Sequence, residues 1–199
     1  MRSIRAVAAV AILAAGALAT GIGAALATGD DERSGRRATA VLHDEAGQRV
    51  GVAVFKERHG EVTVSAAVSR LTPEFHGFHV HAVGECVPPF TSAGGHYFKP
   101  GGVSHGEHAG DLPSLLVNED GTGQLQFTTD RFSVSDLFDA DGSALIVHMG
   151  RDNYANIPDR YIQEETGMPG PDEETLSTGD AGGRAACGVV EMARGGDDD

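Results

Sequence analysis

The chain has 199 residues, enough for one domain of ordinary size with a terminal extension. Hydrophobic residues make up 40% of it, sufficient for a core, and its 28 glycines suit tight turns better than long helices. A formal net charge of −14 argues against a nucleic-acid binder, because phosphate contacts require a basic surface.

In chain order, Arg2 and Arg5 open a short basic region, and an Ala/Val/Leu/Ile/Gly run follows from Ala6 to Ala27. Ala25-Leu26-Ala27 places small residues at both positions preferred before a signal-peptidase cut, so 1–27 reads as a signal peptide. The alternative is an uncleaved membrane anchor, since the run approaches the roughly 20 residues that span a bilayer. Its Ala/Gly richness makes it weakly hydrophobic, which favours cleavage. Residues 28–37 ("TGDDERSGRR") read as a polar linker, 38–192 as the folded domain and 193–199 as a disordered acidic tail. Export would put Cys86 and Cys187, the two cysteines of the chain, in an oxidising compartment. A distant pair there is most simply one disulfide, with two buried free thiols as the alternative. Closing a loop of about a hundred residues is worth roughly 4–5 kcal/mol in the chain-entropy description.

Beyond the linker, period-2 alternation dominates. "ATAVLHD", "RVGVAVFKE", "EVTVSAAVS", "GFHVHAVG", "PSLLVNED", "GQLQFTTD", "SALIVHMG" and "ACGVVEM" are short runs rich in β-branched and apolar residues. Turn signals such as "DEAGQ", "ERHGE" and "NEDGTG" separate them, and only "SVSDLFDA" suggests a short helical turn. Eight such strands predict an all-β antiparallel sandwich or flattened barrel. Two long connections, 87–112 and 150–185, interrupt the pattern, and loops of that length in a compact domain are usually functional.

Six of the nine histidines fall at these strand ends and in the first long connection. In an extended strand alternate side chains share a face, so His79 and His81 point the same way about 7 Å apart. Neutral imidazole is the usual ligand for copper and zinc. "SAGGHYFKPGGVSHGEHAGDL" adds His96, His105, His108 and Asp111 among glycines, and three imidazoles with one carboxylate suit a closed four-coordinate zinc site. His148 ends the apolar run "ALIVHMG". Taken singly, each histidine is more simply structural; together, chance is a poor account of them.

The segments "GFHVHAVGEC", "SAGGHY", "HAGDLPSL", "ALIVHMG" and "TGDAGGRAACGVV" resemble, in order, those of copper/zinc superoxide dismutases, over roughly residues 38–192. The resemblance implies an eight-stranded Greek-key barrel with two functional loops. It implies copper ligands at His79, His81, His96 and His148, with His96 also bridging to a second metal. His105, His108 and Asp111 would complete a zinc site, and Cys86 and Cys187 the family's disulfide. Arg184 would guide the superoxide anion, and Asp152 would tether one ligand of each metal. His76 matches a buried structural histidine, while His43 and His59 read as surface residues. The implied reaction converts two superoxide anions and two protons into O₂ and H₂O₂, with His96 carrying a proton. An anion can be steered by the local field of Arg184 although the net charge is negative, provided the acidic groups lie elsewhere. The runner-up is a non-catalytic copper-binding or interaction module on the same fold. No nucleic acid is expected, a membrane only if the leader stays uncut, and no oligomeric state is implied. The location would be secreted, cell-envelope or anchored outside the cytoplasm.

Two departures matter. Only Gly106 and Glu107 separate His105 from His108, a shorter zinc loop than typical members have, and the alternative to zinc there is a loop held by hydrogen bonds alone. Ser177 stands where many members carry a lysine, which predicts a rate less sensitive to salt.

Overall fold

The computed structural model describes residues 35–100 and 104–193. The leader at 1–27 and most of the linker and acidic tail lie outside the described residues. Among those described, no helix is long and apolar enough to cross a membrane.

Every one of the eight alternating runs carries a strand. These are β1 (Arg37–His43), β2 (Arg49–Arg58), β3 (Glu61–Val68), β5 (Phe78–His81), β6 (Leu115–Leu116), β7 (Gly123–Thr129), β8 (Ala144–His148) and β9 (Arg184–Met192). The alternation does not announce β4 (Phe75–His76), which is too short to show a period. Seven strands form one antiparallel sheet in the order β5-β8-β9-β1-β2-β3-β7, and β4 pairs with β6. Val117 also bridges Gly123, and Gly77 alone separates β4 from β5. The ladder therefore runs from β7 through β6 and β4 back to β5, closing the flattened barrel and leaving little free edge.

Inside lie Ala38, Ala40 and Leu42 of β1, Val62, Val64 and Val68 of β3, and Phe55 stacked edge-on to Phe132 at 6.3 Å between ring centres. Each fully buried Leu, Val or Phe contributes about 1.5–3 kcal/mol of transfer free energy. The expected helical turn is a short 3₁₀ segment, Val134–Phe138, opened by a reciprocal Ser133/Asp136 cap. The second long connection, read as irregular, contains α1 (Glu173–Thr178). Six residues are too few to show an apolar stripe. Its sequence signal is the punctuation: Asp172 accepts from the Thr175 amide at 2.8 Å, and Gly179 ends the helix at φ 62.

Strands β5 and β8 differ from the others because both their faces are buried. Phe78, Val80, Leu145 and Val147 point into the barrel. His79 and His81 alternate with them on β5, and Ile146, with Cys187, Phe90 and Ala93, forms a second small core on the outer side. The long loops are the cover that turns this outer face into an interior. That cover is where the site lies.

Candidate metal centre

Register places the histidines. His79 pairs with Ile146 and His81 with Ala144 across β5 and β8, so the His-x-His pair and His148 share one patch of the outer face. The first long loop returns across it: His81 bridges His96, and His79 bridges Asp111. The missing or small side chains of "SAGGH" and "HAGD" permit that close approach. At Gly110, for instance, a Cβ would lie 2.3 Å from the Val80 carbonyl oxygen.

His79, His81, His96 and His148 each offer a ligand atom within 4.8 Å of the others, and His79, His96, His105 and Asp111 form a second such group. His108 joins its edge, with Nδ1 3.3 Å from Asp111 Oδ2. The structure thus brings together all seven residues predicted as ligands. It leaves His76 outside: both its ring nitrogens face backbone carbonyls, of His148 at 2.7 Å and of Thr72 at 2.8 Å. His43 and His59 are exposed.

Hydrogen bonding fixes which nitrogen of each ring is available. A carbonyl only accepts, so His81 donates from Nδ1 to Gly94 (2.9 Å) and His148 from Nδ1 to Gly182 (3.0 Å). Their Nε2 lone pairs consequently face each other at 3.3 Å, an arrangement that is repulsive until a cation lies between them. His79 donates from Nε2 to Asp152 Oδ2 at 2.7 Å, which leaves its buried Nδ1 without a partner. His108 Nδ1 is likewise buried and without a hydrogen-bond partner. Buried nitrogens are costly unless paired, so lone pairs converging in this way fit metal ions well.

Electrostatics distinguishes the two groups. Burial pushes His79 below the ordinary imidazole range, against the raising effect of Asp152. It pushes His81 well below, His96 down to about 4 and His148 down to about 3. These rings are neutral at physiological pH and keep a lone pair for a metal. Burial also works to lower His105, but hydrogen bonds to Asp111 and Asp152 outweigh it and carry His105 up to about 9. Burial would raise the two carboxyls, and their imidazole partners instead hold both far below the usual range. Asp152 joins the groups directly: Oδ2 accepts from His79 and Oδ1 from His105, each at 2.7 Å.

Arg184 opens β9 opposite His148. Its guanidinium donates to the carbonyls of Phe90 and Gly94, and Gly94 is also the acceptor for His81. The Cys86–Cys187 disulfide, with Cα atoms 5.7 Å apart, pins this same loop to β9. Among the described residues no free cysteine remains. Sequence reasoning did not name the Gly94 and Gly182 carbonyls, nor Gly179, Arg131 and Tyr154, which shape the centre from outside. Backbone acceptors leave no trace in residue type. The glycine clusters "SAGG" and "DAGG" were the available signal.

Barrel and centre define a class: a closed antiparallel β-barrel whose outer face carries a buried polyhistidine site with two adjoining donor groups. The family model described as "Copper/zinc superoxide dismutase (SODC)" matches residues 49–190. The chain is 46% identical over 177 residues to "Superoxide dismutase [Cu-Zn]" of Mycobacterium tuberculosis, covering 81% of this chain and 73% of that one. It is 33% identical over 162 residues to "Extracellular superoxide dismutase [Cu-Zn]" of Brugia pahangi, covering 78% and 76%. The crystal structure of a double mutant of a SOD-like protein from Bacillus subtilis matches with a TM-score of 0.60 at 28% identity, over 76% of this chain and 95% of that one. The chain belongs to the copper/zinc superoxide dismutase family.

Proposed function

We propose that this protein is an exported superoxide dismutase that binds copper at His79, His81, His96 and His148 and zinc at His96, His105, His108 and Asp111. The observation that carries the reading is the facing pair of Nε2 lone pairs on His81 and His148, beside the partnerless Nδ1 of His79. Backbone carbonyls and Asp152 hold all three rings in the tautomer a metal needs.

Copper, when bound, supplies the one-electron redox couple that lets one superoxide be oxidised to O₂ and a second be reduced to peroxide. The chain supplies the rest. Arg184 is a permanent positive charge fixed beside His81 and His148, and it attracts and orients the anion. His96 stands between the two groups: Nδ1 lies 2.9 Å from Asp111 Oδ1, and its ring centre is 4.9 Å from that of His81. Its other nitrogen, Nε2, is thereby aimed at the copper group, where it can hold and deliver one of the two protons that peroxide requires. The buried outer face of β5 and β8 keeps bulk water from the rings.

Export is supported by the leader-like residues 1–27, by the disulfide, and by an extracellular enzyme among the relatives. The test is to load the purified chain with copper and zinc, measure both metals per chain, and follow superoxide disappearance. Rapid disappearance is expected, with a large loss in Arg184→Ala. A fully metallated chain without activity would overturn the reading and leave a copper-binding module in its place.

A further inference from the structure

Three carbonyl oxygens of the loop carrying His105, His108 and Asp111 converge on one nitrogen. Arg131 Nη1 lies 3.1 Å from the oxygen of Gly106, 3.2 Å from that of His108 and 3.4 Å from that of Asp111. Arg131 belongs to the barrel, not to this loop. It lies two residues past the end of β7, its amide donates to Thr129 Oγ1 at 3.2 Å, and the next residue, Phe132, is buried against Phe55.

Gly106 and His108 are also held through their amides. The amides of Gly106 and His108 donate to Asp111 Oδ2 at 2.7 and 3.0 Å. The carbonyls and the amides belong to neighbouring peptide planes, so Arg131 and Asp111 hold the same two residues through different groups. Asp111 Oδ2 is thereby occupied, and Oδ1 is left facing His96 and His105 at 2.9 and 3.2 Å. Arg131 thus braces the backbone that carries the carboxylate and its two amide donors; the three carbonyls share the two N–H of Nη1, and the charge strengthens those bonds.

Tyr154 holds the opposite end. Its ring stacks on His105 with centres 6.2 Å apart and planes at 17°. Its hydroxyl accepts from the Ser114 amide at 2.7 Å. Its own amide donates to Asp152 Oδ1 at 2.7 Å, the oxygen that also accepts from His105. Tyr154 and Ala155 both adopt left-handed backbone, φ 57 and 53, which is strained for residues with a side chain and persists only where surroundings impose it.

We propose that Arg131 and Tyr154 are positioning residues that clamp the His105–Asp111 loop from outside and so set the affinity of the second metal site. They do what a longer loop would do through its own packing: only Gly106 and Glu107 link His105 to His108. The proposal rests on zinc binding at His105, His108 and Asp111, as proposed above.

The experiment titrates the full, copper-loaded chain with Zn(II) against a chromophoric chelator, and records the ligand-field spectrum of Co(II) at the same site. Arg131→Gln is expected to weaken zinc roughly 10–100-fold, the usual effect of losing a residue that orients a ligand. It should also shift the Co(II) bands while leaving copper affinity unchanged. Arg131→Lys recovers part of the loss, and Tyr154→Leu loses more than Tyr154→Phe. Should Arg131→Gln not fold, Arg131→Lys and Tyr154→Phe decide by the same readings. Zinc affinity and Co(II) bands that stay at wild-type values overturn the proposal, and so does an equal weakening of copper and zinc. An inactive wild type that binds both metals would defeat the dismutase reading while leaving this result standing.

Discussion

On the barrel side of the centre, His79, His81 and His148 stand on β5 and β8, and each turns its second nitrogen to a fixed acceptor. On the loop side, His105, His108 and Asp111 sit within seven residues of irregular chain. A strand residue cannot swing away without breaking a ladder, so the barrel histidines inherit the stability of the fold. A loop residue is only as rigid as its contacts, and here those contacts come from elsewhere: Arg131, Tyr154, and the Leu176 carbonyl of α1, which accepts from the His105 amide at 2.7 Å. One half of the site is built by topology, and the other half by side chains that reach in.

The largest effect should come from the barrel half. His148→Ala should abolish copper retention and superoxide disappearance, a loss beyond the roughly 10–100-fold that removing an orienting partner costs. His108→Ala should spare copper, since that ring stands at the edge of the loop group alone. Metal content and activity of the two variants check this. Equal copper loss in both would erase the distinction between the halves.

Asp152 is where the halves meet, and its removal comes next. Asp152→Asn keeps the shape but leaves one imidazole donor with a neutral acceptor and the other facing an NH2 group, so both metals should weaken, each by about tenfold or more. Gly179→Ala attacks the same junction from outside. Its Cβ would lie 2.2 Å from Asp152 Oδ1 and 2.3 Å from His105 Nε2, at a backbone φ of 62 that already disfavours a side chain. Zinc should suffer more than copper in this variant, because His105 is struck directly. Zinc binding at wild-type strength would show that the Asp152 bridge does not organise the loop.

Removing both cysteines, as Cys86→Ala with Cys187→Ala, should cost about 2–5 kcal/mol of stability. Activity should fall further than global unfolding explains. The loop released from β9 carries the Phe90 and Gly94 carbonyls that hold Arg184, and Gly94 also holds His81. Chemical denaturation gives the first quantity, and turnover at a temperature where the variant stays folded gives the second.

The barrel and the place of its histidine pair were legible in the sequence for one reason: strands write their burial as a period of two, and His79 and His81 sit on that period. The order of the motifs then carried the assignments of His96, His105, His108, Asp111 and His148. Two things escaped. Helix α1 is shorter than two full turns, so it leaves caps and no stripe. The supports of the loop half also escaped, because Arg131 and Tyr154 act on backbone atoms and a ring face. Nothing in "TTDRF" or "NYANI" says which carbonyl or ring will stand opposite.

The smallest expected effect concerns the approach of substrate. Ser177 is exposed in α1, next to Leu176, whose carbonyl is bonded to the His105 amide, so a charge there would stand close to the centre without touching a ligand. Arg184 is held by carbonyls at the barrel half and acts at short range, where salt screens little. A charge at 177 would be solvent-facing and screened over about 8 Å at physiological ionic strength. Activity of the wild type should accordingly fall only gently as salt is raised. Ser177→Lys should increase the rate at low ionic strength by a few-fold, below the roughly tenfold where whole-surface steering begins, and should steepen the salt dependence. Turnover against ionic strength for both proteins decides it. A steep decline already present in the wild type would mean that other exposed cations guide the anion, and that steering, unlike ligand placement, is not confined to the barrel half.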